Sequence, residues 1–295
     1  MTKILILGYG EMGHAMEHLL KERSQLSIWD KYPQHGFQSV DIEIAAPVAD
    51  IVLFCLPVNP HREVAERLAP LLKETCLCIS IAKGLDEAGR TASQIFSEVF
   101  LLRQPYALLY GPMISEEIRA DRFAFAQLGC NAGLFKTVSE LFANTNLYLT
   151  HTSDIIGISW SVILKNVYAL IFGMADELKL GDNMRGYLAV AALRELDQIV
   201  CSMGGQAGSP YHLAGLGDLI TTATSEDSHH HELGRLLARG EVNGIEGEGI
   251  HTLAMVKKYQ LFDTANYALF RLIESIVEHP EEVANAISEY VSENG

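Results

Sequence analysis

Ile4-Leu5-Ile6-Leu7-Gly8-Tyr9-Gly10-Glu11-Met12-Gly13 opens the chain, and a second short apolar run closes on Trp29-Asp30. The order is strand, glycine turn, helix, strand, acid. Gly8 lets the chain turn sharply out of the strand. Gly10 lets backbone N–H groups approach a pyrophosphate, and Gly13 lets the helix lie close to the sheet. The helix N-terminus adds free donors and partial positive charge. Such a turn also serves ordinary structural loops. Here the preceding strand, the helical stretch over 14–23 and the acid at about the right distance favour a dinucleotide. Asp30 falls where a carboxylate takes ribose hydroxyls and repels a 2′-phosphate, so NAD is predicted over NADP. Lys31 beside it weakens that discrimination.

Size and composition set the frame. With 295 residues, 48% of them hydrophobic and 20% charged, the chain is long enough for two domains with a sizeable core. No apolar run is expected to reach the length of a membrane span. The chain enters a strand at residue 3 without a basic-then-apolar leader, from which a cytoplasmic location is expected. Cys55, Cys76, Cys78, Cys130 and Cys201 form no CxxC and mostly lie in apolar segments, as small buried hydrophobes do in a reducing compartment. A formal net charge of −15 disfavours nucleic acid and anionic membrane as partners. It also requires that an anionic cofactor be held by local donors.

The first half alternates strands and helices. Strands are predicted over 3–7, 26–29, 51–56, 76–81, 106–110, 123–129 and 146–150, with continuous apolar runs such as 48–56 suited to burial on both faces. The alternation implies an α/β fold whose N-terminal part is a Rossmann-type, parallel, doubly wound sheet. Beyond residue 151 the pattern turns helical, over 155–180, 187–203, 232–239, 252–259 and 266–279, with a glycine-rich stretch over 204–217. The expected division is a dinucleotide-binding domain over 1–152 and an all-helical substrate or catalytic domain over 153–295. The cleft between them is the expected place for chemistry.

Lys165-Asn166 interrupts an apolar helical stretch. Either this lysine snorkels to water or it faces a cleft with a partner, since burying a lone ammonium is costly. Asp218, after Gly215-Leu216-Gly217, either caps the next helix or reaches Lys165. Lys83-Gly84 and Gly111-Pro112 follow strands, at the ligand-facing edge of a parallel sheet.

These residues together resemble the bacterial type of NAD(P)-dependent glycerol-3-phosphate dehydrogenase. The similarity runs over nearly the whole chain: the N-terminal GxGxxG, Ala82-Lys83-Gly84, Gly111-Pro112, Leu164-Lys165-Asn166-Val167, Gly181-Asp182-Asn183, Gly215-Leu216-Gly217-Asp218-Leu219 and Glu248-Gly249. It implies hydride transfer between NAD, with NADP as the alternative, and dihydroxyacetone phosphate or glycerol 3-phosphate. By the resemblance Lys165 is the catalytic acid, oriented by Asp218, with Lys83 adding positive potential. Cofactor contacts are implied at Gly8, Gly10, Glu11, Met12, Gly13 and Asp30, and at Lys83, Ser115 and Glu248. Substrate contacts are implied at Lys83, Gly111, Lys165, Asn166, Asp218 and Thr222. The long helices of the second half are candidates for a homodimer interface, as is common for such enzymes, although the sequence gives no direct sign of one.

The chain departs from the family where substrate is gripped. The family's Ser-Arg-Asn is aligned with Ser228-His229-His230, its Gly-Pro-Ser-Phe-Ala with Gly111-Pro112-Met113-Ile114-Ser115, and a glutamate with Ser159. Histidine gives one donor and titrates near neutrality, where arginine gives a permanent fork. The run His229-His230-His231 then has three readings: a solvated loop beside Glu226 and Asp227, a reworked anion site, or, last, a metal site. A related reductase of another small hydroxy acid or polyol, and a dinucleotide-binding paralogue without catalysis, are the alternative functions.

Overall fold

The computed structural model describes residues 1–34, 37–101, 103–225, 228–241 and 245–295. Two compact units make up the chain, Met1–Asp86 with Arg90–Ile155 and Glu87–Gly89 with Ile156–Gly295.

In the first unit seven strands form, β1 (Lys3–Leu7), β2 (Gln25–Trp29), β3 (Ile51–Phe54), β4 (Leu77–Ser80), β5 (Tyr106–Tyr110), β6 (Ala124–Gly129) and β7 (Leu147–Thr152), of which the central β1, β3, β4 and β5 are apolar runs buried on both faces. They form one sheet in the order β2-β1-β3-β4-β5-β6-β7. Side chains alternate across it. Ile4 and Ile6 pack with Ala15 and Met16 of α1 (Glu11–Leu20), Ile118 of α5 (Ser115–Arg119) and Val138 of α6 (Ala132–Phe142). Leu5 and Leu7 face the other way. They pack with Ile42 of α2 (Ile42–Ala45), Val64 and Leu68 of α3 (His61–Leu68) and Phe96 of α4 (Ala92–Phe100). Helices on both faces make the sheet doubly wound.

One departure from a wholly parallel sheet appears. β6 runs antiparallel to β5, and β7 then runs parallel to β6. The link after β5 passes through Gly111-Pro112 and a helix of only five residues, and the chain returns along the same edge, with Phe125 N–H donating to the Pro112 carbonyl. Helices α4 and α6 were not expected from apolar spacing. Their signals are caps: Thr91 and Gln94 form a capping box before α4, and Asn131 caps α6.

The second unit is built around α7 (Ile155–Glu177). Contrary to expectation, this helix is long and apolar enough to cross a bilayer by length and composition. Its most apolar window is 89% buried inside the protein, so it is a core helix. Around it lie α8 (Asp182–Ser202), α9 (Asp218–Thr224), α10 (His229–Ala238), α11 (Glu248–Tyr259), α12 (Ala268–Glu278) and α13 (Val283–Asn294). Buried Glu195 of α8 accepts the N–H groups of Leu269 and Phe270 at 2.6 and 2.9 Å, where α12 begins, and the Tyr168 hydroxyl of α7 at 3.0 Å. A carboxylate at a helix N-terminus is favourable, and this one ties three helices together.

Helices α7 and α10 touch backbone to backbone. A methyl on Gly173 would lie 2.0 Å from the His231 carbonyl oxygen, and one on Gly234 would lie 2.1 Å from that of Leu170. No rotamer relieves such an overlap. Gly173→Ala is therefore expected to destabilise the protein by about 1–3 kcal/mol, the range for overpacking, read as a lowered thermal midpoint. An unchanged midpoint would show that the two helices part without penalty.

Candidate active site

The glycine turn lies where the sheet order reverses between β1 and β3, the position at which open α/β sheets take ligands. Gly8 has φ +90°, and a methyl on it would meet the Cys55 carbonyl at 2.7 Å. One on Gly13 would lie 2.2 Å from the Gly8 carbonyl, so the helix rests on the turn. Gly10 is different. Nothing lies within 4 Å of its missing methyl, and no side chain caps α1. Open space beside uncapped N–H groups is what a pyrophosphate needs. Met12 packs partly against the core of this face.

Asp30 directly follows β2, but both its oxygens already accept backbone N–H groups, from Tyr9 at 2.6 Å and Tyr32 at 2.7 Å. A carboxylate has about four lone-pair sites, so this tie to the turn leaves capacity for a ribose. Lys31 pairs with Glu63 at 3.0 Å. Glu11 and Ser115, both expected at the cofactor, are joined: the Ser115 hydroxyl donates to Glu11 Oε2 at 3.1 Å. Arg119, which sequence reasoning missed, reaches the same oxygen at 3.2 Å.

Lys83 and Gly111 are also brought together, Lys83 Nζ donating to the Gly111 carbonyl at 3.1 Å. Beneath them is a buried network with no sequence signal. His61 donates from Nδ1 to the Pro57 carbonyl at 2.8 Å, and its Nε2 accepts from the Ser80 hydroxyl at 2.9 Å. Ala82 N–H donates to the same hydroxyl oxygen at 3.2 Å. Burial pushes the His61 pKa down to about 4, so the ring stays neutral. The network ties the loop after β3 to the one that carries Lys83. An apolar hollow of about 500 Å³, lined by Phe96, Phe100, Tyr106 and Leu134, lies instead at the start of β5, away from the glycine turn.

In the second unit, Lys165 of α7 is only 4% exposed and Asp218 only 3%. Lys165 Nζ lies 3.1 Å from Asp218 Oδ2 and donates to Thr222 Oγ1 at 2.6 Å. The Thr222 hydroxyl donates in turn to the Asp218 carbonyl at 2.7 Å. The snorkelling reading of Lys165 therefore gives way to the paired one. Asp218 arrives from a π-helical turn, Leu213–Gly217, that leads straight into α9. Gly215 permits this turn, since a methyl there would lie 2.1 Å from the Pro210 carbonyl. Asn166 is buried, with Gly249 against its carbonyl. Glu248 begins α11, where burial raises its carboxyl pKa against the smaller opposing influence of His251.

The histidine run is corrected. His229-His230-His231 is the first turn of α10, not a loop, because Ser228 caps that helix by accepting the His231 N–H. Successive helical residues point about 100° apart, yet the His229 and His230 rings still meet edge to face, with centroids 5.8 Å apart. His229 Nε2 lies 2.9 Å from the Glu246 carbonyl, and His231 Nε2 lies 2.7 Å from Asp176. His230 lies beside Gly249, next to Asn166. His230 is thus brought near Asn166, another expected site residue, and the His229 ring packs on its edge. Glu226 and Asp227 lie outside the described residues.

Comparison with known proteins is concordant. Residues 31–134 match the family model for the N-terminus of NAD-dependent glycerol-3-phosphate dehydrogenase, and residues 154–288 match that for its C-terminus. A glycerol-3-phosphate dehydrogenase [NAD(P)+] of Mycobacterium tuberculosis is 30% identical over 264 residues, covering 86% of this chain and 77% of that protein. One from Nitratidesulfovibrio vulgaris is 26% identical and covers 98% of both. The crystal structure of the Coxiella burnetii glycerol-3-phosphate dehydrogenase has the same fold, with TM-score 0.84, 23% identity and 98% of each chain covered.

Two buried ions 3.1 Å apart attract strongly, but each loses several kcal/mol of hydration, so the pair nearly balances and a lone member does not. Asp218→Ala should therefore destabilise the fold by about 3–5 kcal/mol, while the apolar double replacement Lys165→Met with Asp218→Leu should lose less. Urea unfolding measures both. Equal losses would mean that the two charges do not depend on each other.

Proposed function

Because the chain belongs to the NAD-dependent glycerol-3-phosphate dehydrogenase family, we propose that it reduces dihydroxyacetone phosphate to glycerol 3-phosphate, and reverses that reaction, with Lys165 as the proton donor. The observation that carries this is the buried Lys165–Asp218 pair. Residues 1–152 bind the dinucleotide in this reading, and residues 153–295 supply the acid and the substrate contacts.

When bound, the nicotinamide supplies a hydride to a carbonyl carbon or accepts one from the alcohol. Lys165 as ammonium gives a proton to the carbonyl oxygen as negative charge gathers there. In the reverse direction its neutral amine takes the alcohol proton. Asp218 keeps the ammonium charged, and Thr222 fixes a second of its three donor directions. Gly8, Gly10 and Gly13 shape the turn for the pyrophosphate. Asp30, with Lys31 committed to Glu63, leaves the end of β2 net acidic, which favours NAD over NADP. Lys83 and Gly111 contribute on the substrate side.

The divergent histidines support a second reading. His231 is committed to Asp176 and His229 to a backbone carbonyl, so the turn offers less to a phosphate than an arginine does. A reductase for an unphosphorylated hydroxy acid or polyol fits that geometry. The intact Lys165–Asp218 pair argues against a paralogue without catalysis. The five free thiols, three of them buried, suit the cytoplasm, and the acidic surface suits neither nucleic acid nor anionic membrane. A homodimer follows from the family resemblance alone.

Purified protein should oxidise NADH with dihydroxyacetone phosphate, with kcat/KM above that for unphosphorylated dihydroxyacetone and about tenfold above that with NADPH, a difference of roughly 1.4 kcal/mol. Preference for an unphosphorylated ketone across a substrate panel would select the second reading. Failure to oxidise NADH with any carbonyl compound would overturn both.

A further inference from the structure

Glu11 is a puzzle at a dinucleotide turn. It is the first residue of α1 and follows Gly10, whose surroundings are open. A carboxylate there favours the helix dipole but opposes a pyrophosphate approaching the same N–H groups. The whole chain, at −15, opposes it too. The structure shows how the acid is answered. Glu11 Oε2 accepts the Ser115 hydroxyl at 3.1 Å and lies 3.2 Å from Arg119 Nη1, both from α5, which packs along α1. Arg119 is also near enough to Tyr9, inside the turn, to oppose the rise in that phenol's pKa.

An exposed ion pair by itself is worth about 0–1 kcal/mol, and here the side chains are 47% and 66% exposed. Its meaning lies in its place. A guanidinium has five donors, and one carboxylate oxygen uses few of them. On the dinucleotide reading above, we propose that Glu11 and Arg119 form a clasp for the cofactor pyrophosphate: Glu11 and Ser115 steer the Arg119 guanidinium to the mouth of the glycine turn, and Arg119 binds a phosphate oxygen there. Arg119 is thus a cofactor-binding residue, and Glu11 a positioning residue that sets how tightly the cofactor is held.

The test is NADH binding, read from nicotinamide fluorescence without substrate, in wild type, Arg119→Gln, Glu11→Gln and the double variant. Arg119→Gln should raise the NADH Kd about tenfold, and Arg119→Lys should recover part of the loss. Glu11→Gln should tighten binding about threefold by removing the competing acid. The double variant should bind about threefold more weakly than Glu11→Gln alone, a smaller loss than Arg119→Gln causes in the wild-type background because the guanidinium is no longer steered, and added salt should narrow the difference. Because both side chains are exposed, the thermal midpoint of every variant should match that of wild type. A double variant that binds like Glu11→Gln would show that Arg119 only cancels Glu11 and would overturn the clasp, as would wild-type affinity in Arg119→Gln. Wild type that fails to bind NADH would overturn the dinucleotide reading itself, a separate result.

Discussion

An ammonium cannot be buried in an apolar helix without a partner, and much of the helical unit answers to that constraint. Lys165 sits among Val162, Ile163, Leu164 and Val167, all nearly inaccessible. Its charge is tolerable because Asp218 is 3.1 Å away and the Thr222 hydroxyl is closer still. To bring the acid there, the chain adopts a π-helical turn over Leu213–Gly217, and Gly215 presses against Pro210 to allow it. π-turns concentrate at functional sites because they trade regular hydrogen bonding for the placement of one side chain. A site that served stability alone would more simply be filled with apolar residues, since a buried pair seldom outperforms good packing. A dehydrogenase needs the charge, for proton transfer to a carbonyl oxygen.

The dinucleotide unit solves the opposite problem. It must attract an anion onto an acidic protein. Screening confines charge effects to about 8–10 Å in physiological salt, so the overall −15 matters less than the donors at the turn. On the proposed reading those donors are the start of α1, left uncapped beside open space at Gly10, with Arg119 brought in against Glu11. Asp30, just after β2, fastens the turn through the Tyr9 N–H, and its remaining lone pairs suit the proposed ribose contact. The buried His61–Ser80 bond stiffens the neighbouring loop that carries Lys83. Its neutral imidazole both donates and accepts, which an apolar ring in the same space could not do.

Much of this was legible in the residues. Unbroken apolar runs revealed the central strands β1, β3, β4 and β5, and GxGxxG revealed the turn, because burial on both faces and close backbone approach leave few alternatives. The pairing of Lys165 with Asp218 was one of two readings, decided only when α9 brought residues 53 apart in sequence together. The reversal of β6 was not legible, since a short connection can either cross the sheet or return along it. Nor was Arg119, an ordinary helical arginine until α5 packs on α1. The loop reading of the histidine run fails because Ser228 caps α10 and a helix starts there. Once those residues are helical, His231 is held by Asp176, while the His229 and His230 rings meet edge to face with centroids 5.8 Å apart.

The central claim is that Lys165 performs the proton step and is not simply a buried cation. A single-turnover experiment tests it most directly: Lys165→Ala, saturated with NADH as judged by its fluorescence, is mixed with dihydroxyacetone phosphate and the nicotinamide absorbance is followed. The account predicts that the bound NADH persists, with oxidation slowed by at least about a hundredfold relative to wild type, as loss of a general acid requires. Oxidation of bound NADH at the wild-type rate would contradict it.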